Sequence, residues 1–363
     1  MPFAEELHRL FYNSLNNDYP DNYDHLRFGK ERKKGVSGCL KSAVTACRKF
    51  FGQSEIEQRT DRRKQFYAPL EYLYQLVADD ESRRLIVMLM AYRLLGHRKV
   101  KLPLNDGSYW QKIAQIDSLA DKKDAIVTSS GERLSRYNLS SIGYDLSLYY
   151  NSSGILIDYV LKQYELRRGD LAMKAKPGDW ILDAGGCWGD TALYFAAETG
   201  NSGKVYTFEF VPSNLEVLKK NLALNAEVAS TVTVVERPLS DRSGVTFQCA
   251  DNGPGSHLSQ ADSEDNGSET TTLAIDNFME EYRVKKVDFI KMDIEGSELQ
   301  ALQGGERTIR KFRPKLAIAI YHTPEDPRQI PQYLDSLGLG YRFHVGHYTI
   351  HCEETMLYAY CQD

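Results

Sequence analysis

The spacing of apolar and polar positions divides the chain into two textures. Through residues 1–135, apolar side chains recur every three or four positions in "FAEELHRLFYNSL", "GCLKSAVTACRKFF", "FYAPLEYLYQLVAD" and "DESRRLIVMLMAYRLLG". That is the period of amphipathic helices. "DDES" marks one helix start and Gly96 its end. From Asp179 onward, short apolar runs alternate with helical ones. "WILDAG", "KVYTFEF", "TVTVVERPL", "VDFIKMDI" and "KLAIAIYH" read as strands. "GDTALYFAAETG", "PSNLEVLKKNLALN", "EGSELQALQGGERTIRKF" and "PEDPRQIPQYLDSLG" read as the helices between them. "YRFHVGHYT" and "ETMLYAY" close the chain as an antiparallel strand pair at one edge. Strands alternating with helices predict an α/β fold, with a mostly parallel sheet covered on both faces.

This pattern predicts a helical N-terminal domain over 1–135, a connecting segment over 136–176 and an α/β domain over 177–363. One stretch interrupts the rhythm. "DNGPGSHLSQADSEDNGSET", residues 251–270, is rich in Gly, Ser and acids and reads as a long surface loop.

Composition narrows the function. A net charge of −5 over 363 residues gives no global attraction for nucleic acid or anionic lipid. Residues 27–64 are locally basic and read as a solvated helix face beside a loop. The first 17 residues carry early acids and no continuous apolar core, so no secretory signal is expected. The longest apolar run, Leu85 to Ala91, is too short for a membrane span and reads as a buried helix. Six cysteines without C-x-x-C spacing predict reduced thiols and a cytoplasmic protein.

The candidate chemistry begins where the first strand of the α/β domain ends. Asp183 is followed by Gly185, Gly186 and Gly189, then Asp190 and Thr191 open a helix. Glycines there let the backbone turn sharply and let a ligand approach it. An acid at the helix start repels a pyrophosphate, so the G-x-G-x-x-G dinucleotide reading is disfavoured. S-adenosylmethionine fits better: it has no phosphate, and Glu209, ending the second strand, would accept hydrogen bonds from its ribose hydroxyls. A nucleoside-binding module without chemistry and an NAD-linked oxidoreductase are the competing classes.

Lys291, Asp293 and Glu295 recur at two-residue spacing at the end of a buried strand, and His322 ends the next one. Charges there are costly unless paired or used. Two arrangements follow. In one, His322 is a general base oriented by Asp293 or Glu295. In the other, Asp293, Glu295 and His322 hold a divalent ion that acidifies a substrate hydroxyl. His344, His347 and His351 in the last strand pair read as packed or exposed side chains, with His347 near substrate. Tyr137, Tyr144, Tyr149 and Tyr150 either line an acceptor site or sit half-buried between the two domains.

From Pro177 to Tyr360, about half the chain, the sequence resembles the FkbM family of S-adenosylmethionine-dependent methyltransferases. The resemblance is carried by "DAGGCWGDTALYFA", "GKVYTFEFVPSNLEVLKKN", "PLSDRSG", "TTLAIDNF", "VDFIKMDIEGSELQAL", "KLAIAIYH" and the final strand pair. It implies a Rossmann-like class I methyltransferase fold and O-methylation of a sugar, glycan precursor or secondary metabolite. It carries cofactor roles over to Asp183, Gly185, Gly189, Asp190, Thr191 and Glu209, with Gly186 in the same turn. It also puts Ser240 and Asp241 beside the adenine. The sequence departs from the family where Gly186, Cys187 and Trp188 replace an alanine, an asparagine and a small apolar residue. Phe210 likewise stands where a proline usually follows the ribose acid. On this reading the helical N-terminal region gates the pocket or selects the acceptor.

Overall fold

The computed structural model describes residues 2–31, 69–249, 251, 253, 258–260 and 268–362. The expected helix "GCLKSAVTACRKFF", most of the basic stretch 27–64 and most of the loop 251–270 lie outside the described residues.

The alternation of the second half is realised as a seven-stranded sheet. Its parallel strands are β6 (Trp180–Ala184), β7 (Lys204–Phe208), β8 (Val232–Val235), β12 (Phe289–Met292) and β13 (Lys315–Ala319). The order is β14-β15-β13-β12-β6-β7-β8, with β14 (Tyr341–His347) at the edge and β15 (Thr355–Cys361) inside it. Thus β15 runs antiparallel to both β13 and β14. The helices that follow the strands include α5 (Asp190–Thr199), α6 (Pro212–Leu224), α8 (Glu298–Gln303) and α10 (Asp326–Ser336). Pro212 sits in the first turn of α6, where its missing N–H costs nothing.

The N-terminal half departs from the expectation of a separate helical domain. Its helices α1 (Phe3–Ser14), α2 (His25–Phe28), α3 (Asp80–Leu95) and α4 (Tyr109–Asp117) are followed by an antiparallel sheet. That sheet comprises β1 (Ala120–Val127), β2 (Arg133–Asn138) and β3 (Ser147–Tyr150), so the boundary expected at residue 135 falls inside β2. The polar run "ADKKDAIV" of β1, interrupted by a bulge between Asp121 and Ala125, lacks the strict alternation that announces a strand.

Nor do the described residues of this half bury a core of their own. Phe3, Leu7, Ile86 and Met90 join Ile318, Phe343 and Val345 in one cluster, while Tyr109, Ile113 and Tyr159 join Phe195, Phe289 and Tyr358 in the other. Val77 also bridges to Phe343, covering the β14 edge. The hairpin β4 (Leu166–Arg168) and β5 (Leu171–Met173) then leads into β6. Strands β9 (Thr246–Cys249), β10 (Leu258–Gln260) and β11 (Ser268–Thr271) form a small sheet before α7 (Ile275–Glu281). No helix among the described residues is long and apolar enough to cross a membrane.

Candidate active site

Beyond the carboxyl ends of β6, β7 and β12, where an open parallel sheet leaves its crevice, lies a cleft. Gly185, Cys187, Glu209, Asp293 and Glu295 line it, with Phe210, Pro238 and Leu239 supplying apolar walls.

Gly185 has φ +86, and Gly185 and Gly186 donate their N–H groups to Phe208 O at 3.1 and 2.9 Å. A Cβ on Gly186 would overlap the Thr207 hydroxyl, so the turn packs directly on β7. Gly189, also at positive φ, caps α5. The turn thereby places its backbone against the cleft, as its glycines predict.

Glu209 is 5% exposed at the end of β7. Its Oε1 accepts the N–H groups of Phe210 and Val211 at 2.7 and 2.8 Å, and Oε2 accepts Asn214 Nδ2 at 3.3 Å. Burial raises this carboxyl to about 7, against the pull of those donors.

Asp183 and Thr191 frame the turn instead of lining the cleft. Asp183 is fully buried and accepts the hydroxyls of Thr191 and Thr207 at 2.9 Å, while Lys291 Nζ stands 3.2 Å from its Oδ1. Lys291 also donates to Gly185 O at 2.6 Å and Ala184 O at 3.1 Å. A charge in the central strand is therefore satisfied by the strand next door: Lys291 pairs in register with Asp183. Asp190, the first residue of α5, is buried behind the turn with Tyr150 Oη 3.1 Å from its Oδ2.

Ser240 and Asp241 do not line the cleft; their neighbours Pro238 and Leu239 do. Leu239 bridges to Leu273 and Ser240 N–H donates to Leu273 O at 3.2 Å, which turns this segment away and leaves Asp241 exposed against Arg242. Ser240 and Asp241, the expected adenine contacts, thus stand off the cleft.

Asp293, Glu295 and His322 do come together. His322 Nε2 lies 3.2 Å from Asp293 Oδ1 and 3.7 Å from Glu295 Oε2. Its Nδ1 lies 3.0 Å from Oε1 of Glu298, a fully buried acid at the start of α8 that the sequence reading missed. Burial disfavours the charged ring, but Asp293 and Glu298 outweigh it and raise His322 to about 11. The two carboxylates therefore favour the protonated ring, a form that donates a proton instead of accepting one.

Asp293 is disfavoured as an anion by burial, yet His322, Lys291 and the Tyr321 hydroxyl, 3.2 Å away, hold it below the usual carboxylate range. Glu295, at φ +55, opens on the cleft beside Asp293; burial raises it to about 7 against the opposing charge of His322. Arg27 of α2, paired with Glu353 at 2.8 Å, adds a further cation near Glu295.

Among the described residues, Asp293, Glu298 and His322 each bring one potential metal donor within 4.8 Å of the others, so Glu298 takes the place expected of Glu295. Both ring nitrogens face carboxylates. The histidines of the last strand pair do not line the cleft. His344 contacts Asp79, His347 Nδ1 lies 2.9 Å from Thr355 Oγ1, and His351 sits 3.7 Å from Asp24. None of the four tyrosines of 136–154 lines the cleft. Tyr144 bonds Glu198, Tyr149 bonds Asp124 and Tyr150 lies between Asp158 and Asp190.

Residues 173–343 match the family model of the methyltransferase FkbM domain. Among solved structures, the chain is similar to the methyltransferase FkbM from Methylobacillus flagellatus KT, with 21% identity and a TM-score of 0.49. That match covers 82% of this chain and 59% of the other, so this chain spans about three-fifths of that relative's length. It is similar to Aeropyrum pernix fibrillarin in complex with natively bound S-adenosyl-L-methionine at 19% identity and a TM-score of 0.34, covering 65% and 92% of the two chains. A putative O-methyltransferase from Klebsiella pneumoniae matches at 14% identity and a TM-score of 0.34, covering 51% and 74%. No curated protein matches the sequence. The sheet order and the helices on its faces are those of the Rossmann-like class I methyltransferase fold.

Proposed function

With residues 173–343 forming an FkbM methyltransferase domain, we infer that this protein transfers the methyl group of S-adenosylmethionine to a hydroxyl of a sugar, glycan precursor or secondary metabolite. The observation that carries this reading is Glu209: a carboxylate at the end of β7, fixed by two backbone N–H groups and lining the cleft beside the Gly185 turn. Such a group accepts hydrogen bonds from a pair of ribose hydroxyls. Phe210, Pro238 and Leu239 then enclose the adenine by apolar contact.

S-adenosylmethionine supplies an electrophilic methyl group on a sulfonium that departs as a neutral thioether. The chain must align the acceptor oxygen and take its proton as the new C–O bond forms. Glu295 is placed for the proton, since it borders the cleft and its carboxyl is raised toward neutrality. Positioning falls to His322, which holds Asp293 and Glu298 on either side of its ring. A cytoplasmic setting and a small-molecule or glycan acceptor belong to the same reading, which rests there on cysteine spacing, net charge and the resemblance.

Calorimetric titration with S-adenosylmethionine, S-adenosylhomocysteine and NAD tests it. Micromolar binding of the first two without the third is expected; binding of NAD alone overturns the reading.

A further inference from the structure

Asp293 lines the cleft, but the side chains that orient it reach back to other parts of the chain. Tyr321, two residues past β13, has its hydroxyl 3.2 Å from each of the two Asp293 carboxylate oxygens. A donor set equally between both oxygens holds the plane of a carboxylate as well as its position. His322 adds charge at 3.2 Å from Oδ1, yet neither of its ring nitrogens forms a hydrogen bond among the described residues. The directional contact is therefore that of Tyr321.

Tyr321 is itself held from behind. Its oxygen is 3.4 Å from Oε1 of Glu354, the residue directly before β15, and Glu354 Oε2 accepts Gln163 Nε2 at 2.9 Å. Gln163 is buried ahead of the matched domain at 173–343, and Glu354 lies beyond its end. A phenol has a single hydrogen. With that hydrogen on Asp293, the contact to Glu354 uses the acid's own hydrogen, and burial together with the Asp293 charge raises this carboxyl to about 7. Gln163, Glu354, Tyr321 and Asp293 then form one chain, each donating to the next. Arg27 also pins the turn that carries Glu354, its Nε 2.8 Å from Glu353 Oε2.

The functional reading puts proton transfer at Glu295, beside Asp293 on the cleft wall. Resting on that reading, we propose that Tyr321 is a positioning residue: backed by Glu354 and Gln163, it fixes the Asp293 carboxylate against the end of the cofactor from which the methyl group leaves. Segments on both sides of the matched domain thereby shape the transfer site.

The test uses the full chain and two probes. S-adenosylhomocysteine has no group at the transfer position, whereas sinefungin carries an ammonium group there and reads the carboxylates around it. Tyr321→Phe should leave the first within about twofold and weaken the second about threefold to tenfold, the worth of one hydrogen bond. Glu354→Leu should shift the ratio in the same direction. Glu354→Gln should keep the wild-type ratio, because an amide donates to Tyr321 and accepts from Gln163 as the protonated acid does. Equal loss for both probes, no loss for sinefungin in Tyr321→Phe, or a Gln variant as weak as the Leu variant overturns the proposal and leaves the methyltransferase reading intact. Failure of the wild-type chain to bind either probe overturns both.

Discussion

The carbonyl oxygen of Asp293 fills the space in which a Cβ on Gly185 would stand. The turn after β6 and the end of β12 are locked together, backbone to backbone, with Asp293 N–H donating to Ala184 O at 3.1 Å. The cleft's glycine turn and the acids at the end of β12 therefore share one junction. At φ +86 any side chain at position 185 is strained even before the overlap is counted. Gly185→Ala is expected to cost at least about 1–3 kcal/mol and to abolish cofactor binding. Thermal unfolding and titration with S-adenosylhomocysteine check this; unchanged melting and affinity would show that the junction yields freely.

On the proposed reading, Glu209 governs cofactor affinity and its pH dependence. Glu209→Ala should weaken S-adenosylmethionine by about tenfold to a hundredfold, because charge-assisted hydrogen bonds are lost. The sign of the pH effect follows from burial. The carboxyl is raised to about 7, so it is protonated below that value and accepts ribose hydroxyls poorly. Affinity should fall as pH drops from 8 to 6 in wild type and stay flat in Glu209→Ala. A flat wild-type profile would remove Glu209 from the ribose role.

Lys291 is the buried cation that holds the turn. Lys291→Met leaves Asp183 in the core without its counter-charge, although the Thr191 and Thr207 hydroxyls remain. Removing one partner of a buried pair costs about 3–5 kcal/mol. Urea unfolding should show a loss of that order, and a loss below 1 kcal/mol would mean that the hydroxyls suffice.

Much of this architecture is legible in the sequence because its signals are local. Short apolar runs ending in an acid, followed by glycine or a helix start, announce β6 and β7 with Asp183 and Glu209 at their ends. What tertiary pairing decides is not legible. The sequence shows that Lys291 needs a partner but not which one; strand register puts Asp183 opposite it. Glu298 reads as an ordinary first-turn acid of a helix, and only the tertiary fold brings it to His322. Asp241 lies close in sequence to the apolar wall, but the bridge to Leu273 removes it from the cleft. The polar strand β1 carries no periodic signal, and so the N-terminal half reads as helical.

The catalytic assignment makes the most exposed prediction. Glu295 must be ionised to accept a proton, and burial raises it to about 7. Turnover should therefore rise with pH to a plateau above about 7, while His322, raised to about 11, stays protonated across that range. Glu295→Gln should depress kcat by about 10²–10⁴, remove the rising limb and leave cofactor affinity intact. His322→Gln should also lower kcat, but through loss of the charge between Asp293 and Glu298, and the Glu295 limb should shift to higher pH as its neighbouring cation disappears. Chelators should leave wild-type turnover unchanged, since the imidazolium occupies the position between the two acids. A limb that persists in Glu295→Gln would return the proton to another acceptor, and inhibition by chelator reversed by a divalent ion would assign the Asp293–Glu298–His322 cluster to a metal instead.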